Sequence, residues 1–414
     1  MGWLVRPVAL LALVTAMAFA RIEGEPWRGI VMPNQMRVLE AREVQYESET
    51  MFRTTRAMVS NQTIGQIYET SSFMTDDYRA ILPIGTAAVG TNLLGSWYWG
   101  SVFSDVAWWW AGAWATATLA ALAGASPIAA FLAGGLAAVG PLGVGYIGSG
   151  NLHAASSLSL PIYLLLAWKI LDRHDLGTIT RGVGIGVIAF LSSITYTYQW
   201  VLFPVLGAMS LRPSMRRWRL PLPVALATFG IATYATRAAL DAVGLGVAAH
   251  MNDPLRVVSG RLDDLHAVVA DPFGHVVGIC RTAWSVAIDT LWAYHPIVAV
   301  LGVLGMVRGP RILRALGACS AILAFAQGLV YNVPWVTMTA FPAVYASVGV
   351  ALDQAAQALA KACRRRGWSV RSARLAGFAV ALGGFTIAAG ATNLDLVGID
   401  AYVIRWWGTW YVPH

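Results

Sequence analysis

Between residues 101 and 392 the chain is a succession of apolar runs, parted by short turns that carry arginine and lysine. The runs read at 101–121, 127–147, 156–171, 182–196, 198–211, 220–240, 286–307, 312–330, 334–352 and 375–392. A bilayer core offers no water to a peptide group, so a crossing segment must satisfy its own backbone, and a helix does that alone. Only 12% of the residues are charged and 57% are hydrophobic, against about 25% charged in a soluble domain. The expected class is therefore all-α, a polytopic transmembrane helical bundle. Its 41 glycines suit close helix approach in lipid. Runs such as Trp97-Tyr98-Trp99, Trp108-Trp109-Trp110 and Trp406-Trp407 suit interfacial belts.

The net charge of +8 gathers in the turns, as Lys169/Arg173/Arg181, Arg212/Arg216/Arg217/Arg219, Arg308/Arg311/Arg314 and Lys361 to Arg374. Four basic turns on one side are the positive-inside pattern, and this distribution excludes nucleic acid as a partner. With the N-terminus inside and the C-terminus outside, the count is about 11 spans of about 20 residues each. The pair 182–211 is short for two crossings and reads alternatively as a partly re-entrant hairpin. The run Arg364-Arg365-Arg366 reads as a topology determinant that also meets anionic lipid. Residues 1–20 form the first transmembrane helix or signal anchor. A signal peptide ending near Ala18-Phe19-Ala20 is the alternative, and residue 21 onward is external in both readings.

Four regions follow: the first span, an external loop 21–100, a bundle 101–392 with an external loop 241–285, and an external tail 393–414. The first loop holds Glu40, Glu43, Glu47, Glu49, Glu69, Asp76 and Asp77, with Arg37, Arg42, Arg53, Arg56 and Arg79 among them, in a chain otherwise poor in charge. Its last stretch, 80–97, is apolar but broken by Pro83, Gly85, Gly90 and Asn92, and reads as a helix on or dipping into the outer interface. Cys280, Cys319 and Cys363 are far apart and lack metal spacing. The sequence has no phosphate-binding P-loop, no GxGxxG followed by a helix and no nucleophile elbow.

Several segments share one order with a known family. The run Tyr46-Glu47-Ser48-Glu49-Thr50-Met51-Phe52-Arg53 follows the first span, and Asp77-Tyr78-Arg79-Ala80-Ile81-Leu82-Pro83 comes next. Leu93-Leu94-Gly95-Ser96-Trp97-Tyr98-Trp99, the hairpin Thr197 to Pro204 and Val333-Pro334-Trp335 to Phe341-Pro342 complete it. This order resembles the GT-C-fold glycosyltransferases of mannosyltransferase-like type, membrane enzymes that use polyprenyl-phosphate-linked sugars. Glu stands where that family usually has Asp in loop one, and its late arginine before the Leu-Pro pair is absent.

The resemblance implies a loop-one carboxylate acting as base, with Glu47 and Glu49 at the matching positions. If this stretch is helical, two residues apart is about 200°, and both cannot then face one pocket. Glu49 also has the bland reading of an ion pair with Arg53 at i,i+4. Asp76 and Asp77 read as a metal- or acceptor-binding pair, or as a helix N-cap. Arg79 reads as a phosphate ligand or an interface anchor. His153, and Arg256 and Arg261 in the loop 241–285, are candidate substrate contacts, since Arg binds phosphate bidentately; a structural histidine and a solvated amphipathic helix are the alternatives. No metal ligand set is assigned, and Mg or Mn remains open as a cofactor. Asp105 lies inside a span, where a carboxylate is costly, but close enough to its end that water is equally available.

The resulting expectation is a hexosyl transferase in a prokaryotic cytoplasmic membrane. It moves a sugar from a polyprenyl-phosphate donor to an acceptor on the outer face, with direct displacement and inversion as the resemblance implies. A non-catalytic membrane scaffold on the same frame is the second reading, and a secondary transporter the third.

Overall fold

The computed structural model describes residues 2–23, 81–139 except 96, 160–242 with breaks at 174, 196–202, 204–205, 208–209 and 212, parts of 271–280, 296–317 except 312 and 316, and 341–394. Every described element is helical: α1 (Gly2–Glu23), α2 (Ile81–Leu94), α3 (Trp97–Leu122), α4 (Pro127–Ala138), α5 (Leu160–Asp172) and α6 (Thr178–Thr195). After a 3-10 turn (Pro213–Trp218) come α7 (Pro221–Ala242), α8 (Pro296–Arg308), α9 (Phe341–Arg365) and α10 (Val370–Leu394).

Two turns show how short sequences stop and restart the chain. After α3, Gly124 takes φ +88°, and Ala125 N–H donates to Ala120 O while Gly124 N–H donates to Ala121 O. This is a Schellman closure, which needs a left-handed residue and so favours glycine. Ser126 then caps α4 through Ala129 N–H, with Pro127 in the first turn, where no N–H is needed. The α9–α10 turn repeats the device, with Gly367 at φ +83° and Trp368 N–H donating to Cys363 O.

Two apolar clusters form the core. One joins α3, α4 and α9 to α5, α6, α7, Trp218 and Leu313; the other joins the same three helices to α1, α8 and α10. Contacts also fix relative directions. Gly182 meets Val224 and Gly186 meets Thr228, so α6 and α7 run parallel; Gly302 meets Val344 and Gly305 meets Ser347, so α8 and α9 do too. Leu10 and Leu13 meet Gly134 and Gly135, packing α1 against α4. In contrast, Leu352 meets Gly384 and Ala356 meets Gly377, so α10 returns along α9.

Among the described residues two helices, Thr178–Thr195 and Val370–Ala388, are long and apolar enough to cross a bilayer by length and composition. Shorter apolar helices lie at Pro7–Ala18, Pro127–Ala138 and Ile297–Arg308. Helix α9 outruns the apolar stretch 334–352 by continuing to Arg365. Apart from Asp353 and Cys363, its extra turns are Ala, Gln, Leu, Lys and Arg, good helix formers, so helix propensity carries it past the point where hydropathy ends.

Candidate functional site

Connections between helices divide the bundle into two ends. At one end Arg217 pairs with Asp172 at 2.6 Å and Arg181 donates to Leu171 O at 3.3 Å. Trp168 meets Trp218 edge-on there, with ring centroids 5.1 Å apart. The first core cluster gathers Leu119 and Ala120 from the end of α3, Leu171 from the end of α5, Leu222 from the start of α7, and Leu313 beside them. The basic turns therefore collect together.

The other end is where α5 starts and α6 stops, tied by the buried Tyr163–Thr195 hydroxyl pair at 2.5 Å. Trp109 Nε1 donates to Ala137 O at 2.9 Å, joining α3 to the last turn of α4. The α2–α3 hairpin turns here at Gly95 (φ +68°), and Gly90 lies against Phe103 so closely that a Cβ would sit 2.8 Å from its ring.

Asp105 is buried in α3, with 4% of its surface exposed, beside Ser104 at 1%. Asp105, Trp109, Gly112 and Thr116 are all buried at i, i+4, i+7 and i+11, one helical face turned to the bundle interior. Asp105 stands eight residues, about 12 Å, from the start of α3. Of the two environments the sequence left open for this carboxylate, the interior one holds.

A second buried carboxylate, Asp353 (6% exposed), stands one residue past the apolar run 334–352 and carries no sequence signal of its burial. It accepts from Ser126 N–H at 3.0 Å, from Ser126 Oγ–H at 2.6 Å and from Gln357 Nε2 at 2.7 Å. Three donors satisfy it, and its work is to pin the start of α4 to α9. Asp353→Ala strands the Ser126 N–H, at about 1–3 kcal/mol, while Ser126→Ala, which keeps that N–H bond, costs less. Thermal unfolding of the two variants in detergent checks the order.

The expected site residues Glu47, Glu49, Asp76, Asp77, Arg79, His153, Arg256 and Arg261 lie outside the described residues. Their segments nevertheless leave and re-enter described helices: 24–80 joins α1 to α2, 140–159 joins α4 to α5, and 243–295 contains Arg256 and Arg261 between α7 and α8. Among the described residues no three His, Cys, Asp or Glu side chains converge as a metal site.

The backbone arrangement is similar to that of solved membrane proteins. The oligosaccharyltransferase of Archaeoglobus fulgidus, crystallised without ligand, superposes with a TM-score of 0.53 at 12% identity, over 93% of this chain and 56% of its own. The same enzyme with Zn and sulfate gives 0.50 at 13% identity, over 94% of this chain and 53% of its own. ArnT of Cupriavidus metallidurans, bound to undecaprenyl phosphate, gives 0.52 at 14% identity, over 98% of this chain and 74% of its own. The chain has the GT-C fold.

The chain thus spans little more than half the length of the archaeal enzyme, and the likeness is one of fold. No protein-family model and no curated protein sequence matches the chain. Within the GT-C frame Asp105 is the buried acid of the described interior on the side away from the basic turns, and Asp353 is a structural strut near them.

Proposed function

We propose that this protein is a membrane glycosyltransferase, moving a sugar from a polyprenyl-phosphate carrier to an acceptor hydroxyl on the outer face of a prokaryotic cytoplasmic membrane. The observation that carries the reading is the GT-C fold over 93–98% of the chain. The helix directions agree with it. They gather the basic turns at one end, the inner one by the positive-inside rule, and in this reading the acid-bearing segment 24–80 is external. An N-terminus inside, a C-terminus outside and about 11 spans suit that arrangement.

In this reading the base is Glu47 or Glu49. It takes the acceptor proton as that oxygen attacks the anomeric carbon, and the bond from that carbon to the phosphate oxygen breaks with inversion. Polyprenyl phosphate leaves with the bonding pair, and Arg79, Arg256 and Arg261 stabilise its charge. The neighbours' contents support a lipid carrier: ArnT holds undecaprenyl phosphate, and the archaeal enzyme has been solved with an inhibitory peptide and a dolichol-phosphate. A divalent cation, if employed, would be held by Asp76 and Asp77, and would supply positive charge to the leaving phosphate.

The test is consumption of donor by the purified protein in nanodiscs, using a panel of polyprenyl-phosphate hexoses and pentoses. One donor is expected to release free polyprenyl phosphate and to lose its sugar to acceptor. A panel in which no donor binds or turns over removes the enzyme reading and leaves a scaffold built on the same frame.

A further inference from the structure

At about 1.5 Å per residue, the 25 residues of α9 reach about 37 Å, beyond a hydrocarbon core of about 30 Å. Its last turns change character. Ala356 and Cys363 stay buried while Gln354, Gln357, Lys361, Arg364 and Arg365 are exposed. After the Gly367 turn the cations continue into α10 with Arg371 and Arg374. From residue 354 to 394 there is no Asp or Glu, while Lys361, Arg364, Arg365, Arg366, Arg371 and Arg374 are all exposed. Among the described residues none of these six side chains has an ion-pair partner.

Other guanidiniums at this end are engaged by the protein itself. Arg173 pairs with Asp175, Arg217 with Asp172, and Arg219 donates to the Ser210 and Leu211 carbonyls. The α9–α10 turn differs in density and in lacking any acid. Trp368, 52% exposed, sits in the middle of it, and tryptophan prefers the headgroup level of a bilayer.

We infer that the α9–α10 turn is a binding surface for the headgroups of anionic phospholipids. Charge complementarity selects the occupant. Arginine forks match phosphate oxygens bidentately, Trp368 sets the depth, and the Schellman closure at Gly367 fixes the spacing of the two helix ends. The inference rests on the membrane reading of the fold and not on sugar transfer. Its site lies at the basic end, away from the segment that carries Glu47 and Glu49.

The experiment is native mass spectrometry of the full chain in detergent, titrated with phosphatidylglycerol or phosphatidylcholine. Wild type is expected to retain phosphatidylglycerol preferentially. At roughly fivefold per arginine near an anionic surface, Arg364→Gln/Arg365→Gln/Arg366→Gln weakens it by about 100-fold. The lysine triple at the same positions, which keeps the charge and protects insertion, weakens it less. Arg216→Gln/Arg308→Gln/Arg314→Gln, with the same charge removed at exposed positions elsewhere, leaves it unchanged. Equal retention of both lipids, or equal loss from the two glutamine triples, overturns the site. Displacement of the lipid by millimolar inorganic phosphate also overturns it, since the turn then takes the anion and not the lipid.

Discussion

One of the two substitutions Glu47→Gln and Glu49→Gln lowers kcat by about 10²–10⁴-fold, the range for loss of a positioned general base, and the other changes it by less than tenfold. The asymmetry follows from geometry. Both acids stand at the loop-one positions of the resemblance; if the stretch is helical they point about 200° apart, and a single anomeric carbon is then served by one of them. Glu49 has Arg53 four residues on, the spacing of a surface ion pair. Glu47 has Glu43 four residues back, and a like charge raises the proton affinity of its carboxylate, which makes it the stronger base of the two. Glu47 is therefore the one expected to carry the larger loss. Glutamine keeps the shape and does not titrate, so the residual rate of that variant also loses the acid limb of its pH profile. Steady-state kinetics of both variants across pH check the prediction. Two variants with wild-type rates and profiles point to a frame without this chemistry.

The helical class was legible because hydrophobicity is summed over long windows, and α3 and α7 (97–122 and 221–242) lie close to the apolar runs 101–121 and 220–240. Local chemistry was harder to see. The Ser126 cap and the Gly124 and Gly367 closures occupy single residues inside turns, where hydropathy carries no information. Asp353 was missed for a related reason: it sits at the first polar step of α9, which looks like an end, yet three donors from two helices hold it inside the bundle. A carboxylate's environment is decided by what other helices bring to it, and no sequence window contains that. The same holds for Asp105, whose position in the run was readable but whose burial depends on the elements packed around α3. The acids of loop one stand on family order alone, since their segment has no apolar periodicity to fix a geometry.

Gly186→Leu yields no folded, monodisperse protein, and Gly186→Ala lowers stability by about 1–3 kcal/mol, the usual cost of overpacking. A Cβ on Gly186 would lie 2.5 Å from Thr228 Cβ and 2.7 Å from Ala225 O; one on Gly182 would lie 2.5 Å from Val224 Cβ and 2.8 Å from Pro221 O. The two glycines are four apart, one turn of α6, and each meets backbone as well as side chain, so no rotamer change relieves the contact. The helices must separate, and in lipid close van der Waals approach is a main source of helix association because no hydrophobic force drives it. Gly230 in α7 and Gly383 in α10 are the controls. An added Cβ there meets nothing within 4 Å, so alanine stabilises by up to about 1 kcal/mol through helix propensity alone. Fluorescence-detected size exclusion after a heat ramp ranks the four alanine variants, Gly182 and Gly186 below wild type and Gly230 and Gly383 at or above it. Indistinguishable melting for all four would place the α6–α7 contact outside the forces that hold this bundle together.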